Sequence, residues 1–335
     1  MLKLLLGGSP CTKWSLALRY GREVLPKGIG WDLLENYLIA KEKFQPDFFL
    51  YENNKSASQS IKDAIYIALG GGKDSSVRLT HINSSLVSAQ NRERFYVTNF
   101  GYIEQPKDMG ILLSDILETA QGIGYSNYYF FGSVVPVNTT VDGKSRTIKA
   151  QYHHSAIANF VTNGGYPATG VAISLNLGIK SITEIDGKPV YTVKNGLITV
   201  KDKQYPVKLA DGYYLIRKLT PLECERLQTL PDGYTSGLSD SQRYRAIGNG
   251  WTAEVIIHIL NHALKDVPRD EELVVLSMYD GIATGRYCLD KMGFTNVKYY
   301  AYEIDSYPIK IAMSNYPDIV QCGDAFQVKN SSFLF

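Results

Sequence analysis

Cysteine is scarce in this 335-residue sequence, and its four copies, Cys11, Cys224, Cys288 and Cys322, form no Cys-x-x-Cys pair. A disulfide framework is therefore not expected, and a reducing, cytoplasmic compartment is. No apolar run is long enough to span a bilayer, and the leading Leu4-Leu5-Leu6 stretch is too short for an export signal, so no membrane partner is expected. His153-His154 has no accompanying cysteine or carboxylate cluster, which argues against a metal site. There is no phosphate-binding Gly-x-Gly-x-x-Gly, no internal repeat and no low-complexity tract. The net charge is only +2, so any nucleic-acid contact must be local rather than spread over a basic surface.

With 44% apolar residues, the chain can bury a core and carry a second domain. Its first informative segment is Gly7-Gly8-Ser9-Pro10-Cys11, directly after the strand-like Leu4-Leu5-Leu6. Glycines permit close backbone approach, proline stiffens the turn, and a cysteine at the tip of a strand is where a nucleophile would sit. Alone, such a cysteine is more often small core material.

The run Phe48-Phe49-Leu50-Tyr51 reads as a buried strand that ends in Glu52 and Asn53. Leu34, Tyr37, Leu38 and Lys41 at helical spacing precede it. The unit is strand, helix, strand with a carboxylate at the second strand's carboxyl end, the edge where open α/β sheets bind ligands. Such a carboxylate, partly desolvated, could share a proton with a ring nitrogen. Farther on, Gln90-Asn91-Arg92-Glu93-Arg94 runs into the strand-like Phe95-Tyr96-Val97. Alternation would put Arg92 and Arg94 on one face, able to hold a phosphate, a base carbonyl or the cysteine's turn.

At the other end, Val274 to Tyr279 forms an apolar strand leading into Asp280-Gly281-Ile282-Ala283-Thr284-Gly285 and a helix over Arg286 to Met292. Strand, glycine turn and helix start make a nucleotide-type pocket, with backbone amides and the helix amino end facing a polar ligand. A second strand, Val297 to Tyr302, ends in Glu303 and Ile304, roughly twenty residues on, the spacing at which an acid meets ribose hydroxyls. A third, Ile319 to Cys322, delivers Gly323-Asp324. Between the two ends, Thr220 reads as a helix N-cap with Pro221 at the first helical position and Glu223 closing a capping box. Ile247-Gly248-Asn249-Gly250-Trp251 reads as a turn before an apolar helix carrying Val255, Ile256, Ile259 and Leu260.

Taken in order, Ser9-Pro10-Cys11, Glu52-Asn53, Gln90-x-Arg92-x-Arg94 and the Asp280 to Gly285 turn resemble the motifs of the cytosine-5 DNA methyltransferases. In the second motif Asn54 stands where valine is usual. The resemblance implies a Rossmann-like α/β methyltransferase sheet with a smaller β-rich target-recognition domain. It implies Cys11 as nucleophile, Glu52 on the ring nitrogen of a flipped cytosine, and Arg92 and Arg94 as supporting cations. It further implies S-adenosyl-L-methionine as cofactor and S-adenosyl-L-homocysteine as product. Contacts would come from Tyr279, Asp280, Gly281, Ile282, Ala283, Thr284, Gly285, Glu303 on the ribose, Ile304, and Asp324 near the adenine amino group. Asn249 and Trp251 would complete that pocket.

In this family the cofactor motif usually comes first; here it comes last, so the chain reads as circularly permuted, with Met1 and Phe335 expected close together. The expected division is 1–99 for the catalytic half, 100–215 for target recognition and 216–335 for the cofactor half. Residues 1–99 hold 13 Lys and Arg against 9 Asp and Glu, whereas 216–335 hold 12 against 15, so positive charge leans toward the catalytic half. The middle region shows short β-type runs such as Tyr128 to Val137 and Val190 to Val200. Its expected DNA-facing elements are Ser145 to Lys149, with Arg146 and Lys149, and Tyr152 to His154. Ser9, Pro10, Asn53 and Gln90 are the other expected substrate contacts. The expected partner is double-stranded DNA, and the protein is expected to be a bacterial or phage-encoded monomer, with a dimer as the alternative. An RNA cytosine methyltransferase, a silent DNA-binding member and a scaffolding role for the middle region are the competing readings.

Overall fold

The computed structural model describes residues 1–15, 20–119, 131–161, 168–175 and 183–331. These form two compact units. The first comprises 1–84, 93–107 and 250–335, and the second 85–92 and 108–249. This division differs from the sequence boundaries: the segments around Thr220 and Asn249 fall in the second unit, because their apolar side chains join its core.

The first unit is built on a seven-stranded sheet. Its spatial order is Val320–Gly323, Val297–Tyr302, Leu273–Met278, Leu2–Gly7, Phe48–Asn54, Glu93–Thr98 and Arg78–Asn83. The first five run parallel, Glu93–Thr98 runs antiparallel to them, and Arg78–Asn83, antiparallel to Glu93–Thr98, runs with the first five again. Every residue of Leu273–Met278 is buried, as are Leu4, Leu5 and Leu6, the continuous apolar pattern of parallel strands covered on both faces. Helix Ile29–Phe44 lays Leu34, Tyr37, Ala40 and Phe44 into the core against Phe49 and Tyr51; of the set read from the sequence, Leu34 and Tyr37 are buried, Leu38 is partly buried against that core and Lys41 is not in it. Counted from Leu273–Met278 onward, and returning through Leu2–Gly7, the strands lie in spatial order 3-2-1-4-5-7-6. That is the doubly wound arrangement, whose switch point falls between Leu273–Met278 and Leu2–Gly7.

The second unit centres on an antiparallel sheet in the order Lys203–Pro206, Leu197–Val200, Lys188–Lys194, Gly212–Lys218, Gly170–Leu175 and Phe131–Val137. The sequence run Val190 to Val200 is a hairpin turned at Asn195-Gly196, both with positive φ, the residue pair that a tight two-residue hairpin demands. Residues 128–130 of the run ending at Val137 lie outside the described residues, as does Phe335. Helix Pro221–Leu227 starts as its sequence dictates. Thr220 Oγ1 accepts the Glu223 amide at 3.1 Å, and the Glu223 carboxylate accepts the Thr220 amide at 2.8 Å. Among the described residues no helix is long and apolar enough to cross a membrane, and no three His, Cys, Asp or Glu residues are grouped to hold a metal ion.

Candidate active site

In the first unit one row of paired residues crosses the sheet, Tyr302 to Met278 to Gly7 to Tyr51. The residues just past this row are Glu303, Tyr279 with Asp280, Gly8, and Glu52. Four adjacent parallel strands thus deliver the expected acids and the cysteine's turn to one edge, about 14 Å wide at normal strand spacing.

Gly8 follows the row, and its backbone crosses Glu52 so closely that a Cβ there would meet the Glu52 carbonyl oxygen at 2.4 Å and Oε2 at 3.2 Å. Only glycine allows this approach. Ser9 is buried, and its hydroxyl shares a 2.7 Å hydrogen bond with that of Tyr51. Buried Asn53 donates to the Ser9 carbonyl at 2.9 Å and to the Tyr51 hydroxyl at 3.0 Å. Ser9 and Asn53 therefore brace the turn from inside, leaving Pro10 exposed and Cys11 opening a short 3-10 turn, Cys11–Lys13. Asn54 gives its place a use that valine could not. It donates to Ser15 Oγ at 3.4 Å and accepts the Ser56 amide at 3.0 Å, tying the segment after the cysteine to the carboxylate strand. Arg22 adds a hydrogen bond to the Trp14 carbonyl at 3.1 Å.

Glu52 is only 13% exposed and has a partner on each oxygen. Arg94 Nε lies 2.9 Å from Oε1, and the Trp251 indole nitrogen donates to Oε2 at 3.1 Å. Arg92 does not share this face, contrary to the alternation expected from sequence. It falls between the short strand Gln90–Asn91 and the strand Glu93–Thr98, and it lies in the second unit. There its buried guanidinium donates to the Ile148 carbonyl at 3.2 Å and the Gly248 carbonyl at 3.3 Å. Gln90, fully buried, accepts the Ile148 amide at 3.2 Å.

The turn after Leu273–Met278 is strained. Tyr279 and Ala283 have φ of 59° and Gly281 64°. A left-handed conformation at a non-glycine costs about 1–2 kcal/mol, and such strain gathers at ligand-binding turns. Asp280 accepts from Ser277 Oγ and the Tyr299 hydroxyl, both at 2.7 Å and both on Oδ1, while its buried Oδ2 has no hydrogen-bond partner. Burial pushes the Asp280 carboxyl up to about 6, against the pull of those two hydroxyls. Glu303 accepts the Gly281 amide at 2.9 Å on one oxygen and the Ile304 and Asp305 amides at 2.8 and 2.9 Å on the other. Gly285 packs so tightly that a Cβ would meet the Tyr299 hydroxyl at 2.7 Å, which makes it a helix-to-sheet packing residue. Ile282, Ala283 and Thr284 are buried, so their side chains support the turn from within. The Tyr279 hydroxyl donates to the Leu33 carbonyl at 2.7 Å and anchors the turn to helix Ile29–Phe44.

Ile304, 72% exposed, follows Glu303 and offers an apolar face at the edge. Asp324 is exposed and accepts the Phe326 amide at 2.9 Å. An orphaned buried carboxylate oxygen, a ribose-type acid on a glycine amide, and exposed Ile304 together fit an adenosyl ligand carrying a cationic amino-acid end.

The remaining expected residues lie in the second unit. Asn249 ends helix Asp240–Asn249 and is exposed. Arg146 Nε donates to the Asn138 carbonyl at 3.2 Å, and Lys149 is exposed. Ser145, Ile148 and Tyr152 are buried; the Tyr152 hydroxyl donates to the Thr169 carbonyl at 2.5 Å and accepts the Leu219 amide at 2.9 Å. Tyr152 therefore pins the core and does not face a ligand.

Sequence reasoning missed the roles of Ser277 and Tyr299 on Asp280, of Asn54 on Ser15, and of Trp251 on Glu52. Ser277 is local to Asp280, three residues before it, whereas the other pairs join segments distant in sequence that only the folded chain brings together.

The model of the family described as C-5 cytosine-specific DNA methylase matches residues 2–265. The orphan methyltransferase M.SPRI of Bacillus phage SPR is 35% identical over 88 residues, which is 24% of this chain and 18% of that relative. The orphan methyltransferase M.SPBetaI of Bacillus phage SPbeta gives the same identity and coverage. The matched stretch thus spans under a fifth of the length of these relatives. Among solved structures, the Entamoeba histolytica methyltransferase EhMeth aligns with a TM-score of 0.45 at 15% identity, over 79% of this chain and 78% of that one. The S. pombe Dnmt2 methyltransferase aligns with a TM-score of 0.42 at 12% identity, over 78% and 77%.

Proposed function

We propose that this chain, which belongs to the C-5 cytosine-specific DNA methylase family, methylates carbon 5 of cytosine in double-stranded DNA, with S-adenosyl-L-methionine as methyl donor. The observation that carries this reading is the single sheet row that sets the cysteine's turn, Glu52, Asp280 and Glu303 along one edge.

The target base leaves the stack, because a stacked cytosine exposes neither ring carbon 6 nor carbon 5 to a nucleophile and a donor at once. The Cys11 thiolate forms a bond to carbon 6, and the displaced π pair makes carbon 5 nucleophilic. Glu52 accepts a hydrogen bond from the base's N4 amino group and, once ring nitrogen 3 has taken a proton from solvent, a second one from nitrogen 3, stabilising the ring as charge moves onto it. Arg94 holds Glu52 in place through its 2.9 Å contact. When bound, the cofactor supplies an electrophilic methyl group. A solvent base then takes the proton from carbon 5, the freed pair re-forms the 5,6 double bond as the sulfur–carbon bond breaks, Cys11 leaves as thiolate, and nitrogen 3 returns its proton to solvent. Glu303 would hold the ribose, and Asp280, with its unpartnered Oδ2, would meet the cationic end of the cofactor.

The motif order and the strand order together support a circular permutation. Read from Leu273, the sheet follows the doubly wound order, and the family match ends at residue 265, before that strand begins. The exposed lysines and hairpins of the second unit support its role in target recognition.

Transfer of a tritiated methyl group to duplex DNA, compared with RNA of the same sequence, tests the substrate. We expect label in DNA at cytosine carbon 5. Label in RNA alone would replace the DNA reading with an RNA one.

A further inference from the structure

We infer that Trp251 is a positioning residue for Glu52, fixing through its indole N–H the plane in which the carboxylate meets the base. This rests on the reading of Glu52 as the group that holds cytosine.

A carboxylate's last torsion is broad and roughly two-fold, so the side chain alone does not set the plane of its oxygens. Two donors set it here, Arg94 Nε at Oε1 and Trp251 Nε1 at Oε2. Each oxygen can accept two hydrogen bonds, so one site on each remains for substrate. Cytosine offers an N4 amino donor beside ring nitrogen 3. Once nitrogen 3 carries a proton, two donors lie side by side and match the two free sites of a carboxylate whose plane is fixed. Losing either back-side donor would free that plane to swing.

The exposure of Trp251 agrees with this role. Trp14 is completely buried and is a core residue, whereas Trp251 is part-exposed and donates its single polar hydrogen to a carboxylate 199 positions away in sequence. An indole N–H supplies the bond without a second cation, so Glu52 stays free to respond to charge on the base.

The test is a double-mutant cycle of Trp251→Phe and Glu52→Gln, read by tritium transfer to DNA over long incubations. Trp251→Phe keeps an aromatic side chain but removes the N–H donor together with the five-membered ring, and the indole resonance in Glu52→Gln reads the hydrogen bond without that loss of volume. We expect kcat to fall about ten- to hundredfold, as for a misplacement of a catalytic group, with the KM for DNA within about twofold. Combined with Glu52→Gln, the second substitution should add little, because both act through one group. The Trp251 indole proton resonance, identified by its loss in Trp251→Phe, should move in Glu52→Gln. An active parent with unchanged kcat in Trp251→Phe, or with additive effects of the two changes, would overturn this inference alone. A parent that methylates no nucleic acid would overturn the functional reading and this role with it.

Discussion

Both units bury charged side chains, and they treat them in opposite ways. In the second unit the fully buried Glu223 takes two 2.7 Å bonds from Arg217 and one 2.8 Å bond each from the Glu118 and Thr220 amides. Fully buried Glu225 likewise accepts the Gly233 and Thr235 amides at 2.7 and 2.8 Å and Arg243 at 3.0 Å. Lys144, also buried, is spent on backbone carbonyls, those of Ser88 at 3.3 Å and Ile111 at 2.9 Å among them. These groups are saturated. In the first unit Asp280 keeps an oxygen with no partner, and Glu52 has one donor on each oxygen. Bonding capacity is complete where charge shapes loops and left over where a ligand is expected. The position of a buried acid therefore says less about its role than the sites it still has open.

The contrast breaks most visibly if the saturated acids prove dispensable. Glu223→Ala strands Arg217 in a largely buried place and should cost about 3–5 kcal/mol in urea unfolding, the cost of splitting a buried ion pair. A loss under about 1 kcal/mol would mean that the pair is no more than a surface contact.

Asp280 offers a sharper form of the same contrast, because burial away from water raises its carboxyl. Its carboxyl sits near 6 in the folded protein against 3.8 when unfolded, so the folded state holds the proton more tightly. The stabilisation is complete below about pH 4 and disappears as pH climbs through about 6, a change of about 3 kcal/mol. Asp280→Asn cannot titrate and should become increasingly stabilising relative to the parent over that window in unfolding measured without cofactor. A difference that stays flat with pH would place Asp280 in solvent.

The smallest effect is expected at Glu303, which on the proposed reading holds the ribose and whose own amide partners are part-buried or exposed. Glu303→Ala should weaken S-adenosyl-L-methionine binding by about 1–3 kcal/mol in calorimetric titration, with little change in unfolding. An unchanged dissociation constant would take Glu303 out of the pocket.

Much of this architecture is legible in the sequence because it rests on local rules. Thr220, Pro221 and Glu223 specify a helix start, Asn195-Gly196 specifies a hairpin, and the apolar runs at Leu4 and Val274 specify buried strands. Cys11, Glu52, Asp280 and Glu303 are also legible as strand-end residues. What the sequence hides depends on register and on contacts between distant segments. Alternation placed Arg92 beside Arg94, but the chain leaves the strand at Arg92 and its guanidinium caps backbone carbonyls instead. Ser9 and Asn53 look like ligand contacts as polar residues beside a nucleophile, yet they bond each other in the interior. Trp251 follows a glycine, as a cofactor contact would, and only the tertiary fold shows its indole on Glu52, 199 positions away in sequence.

The central claim is that Cys11 forms a bond to the target base, and trapping that bond tests it most directly. Duplex DNA carrying 5-fluorocytosine has no proton to lose at carbon 5, so the adduct should persist with S-adenosyl-L-methionine present, survive denaturing electrophoresis and map by mass spectrometry to Cys11. Cys11→Ser should give no adduct while still binding the cofactor. An adduct on another residue, or methyl transfer by Cys11→Ser at the parent's rate, would contradict the account.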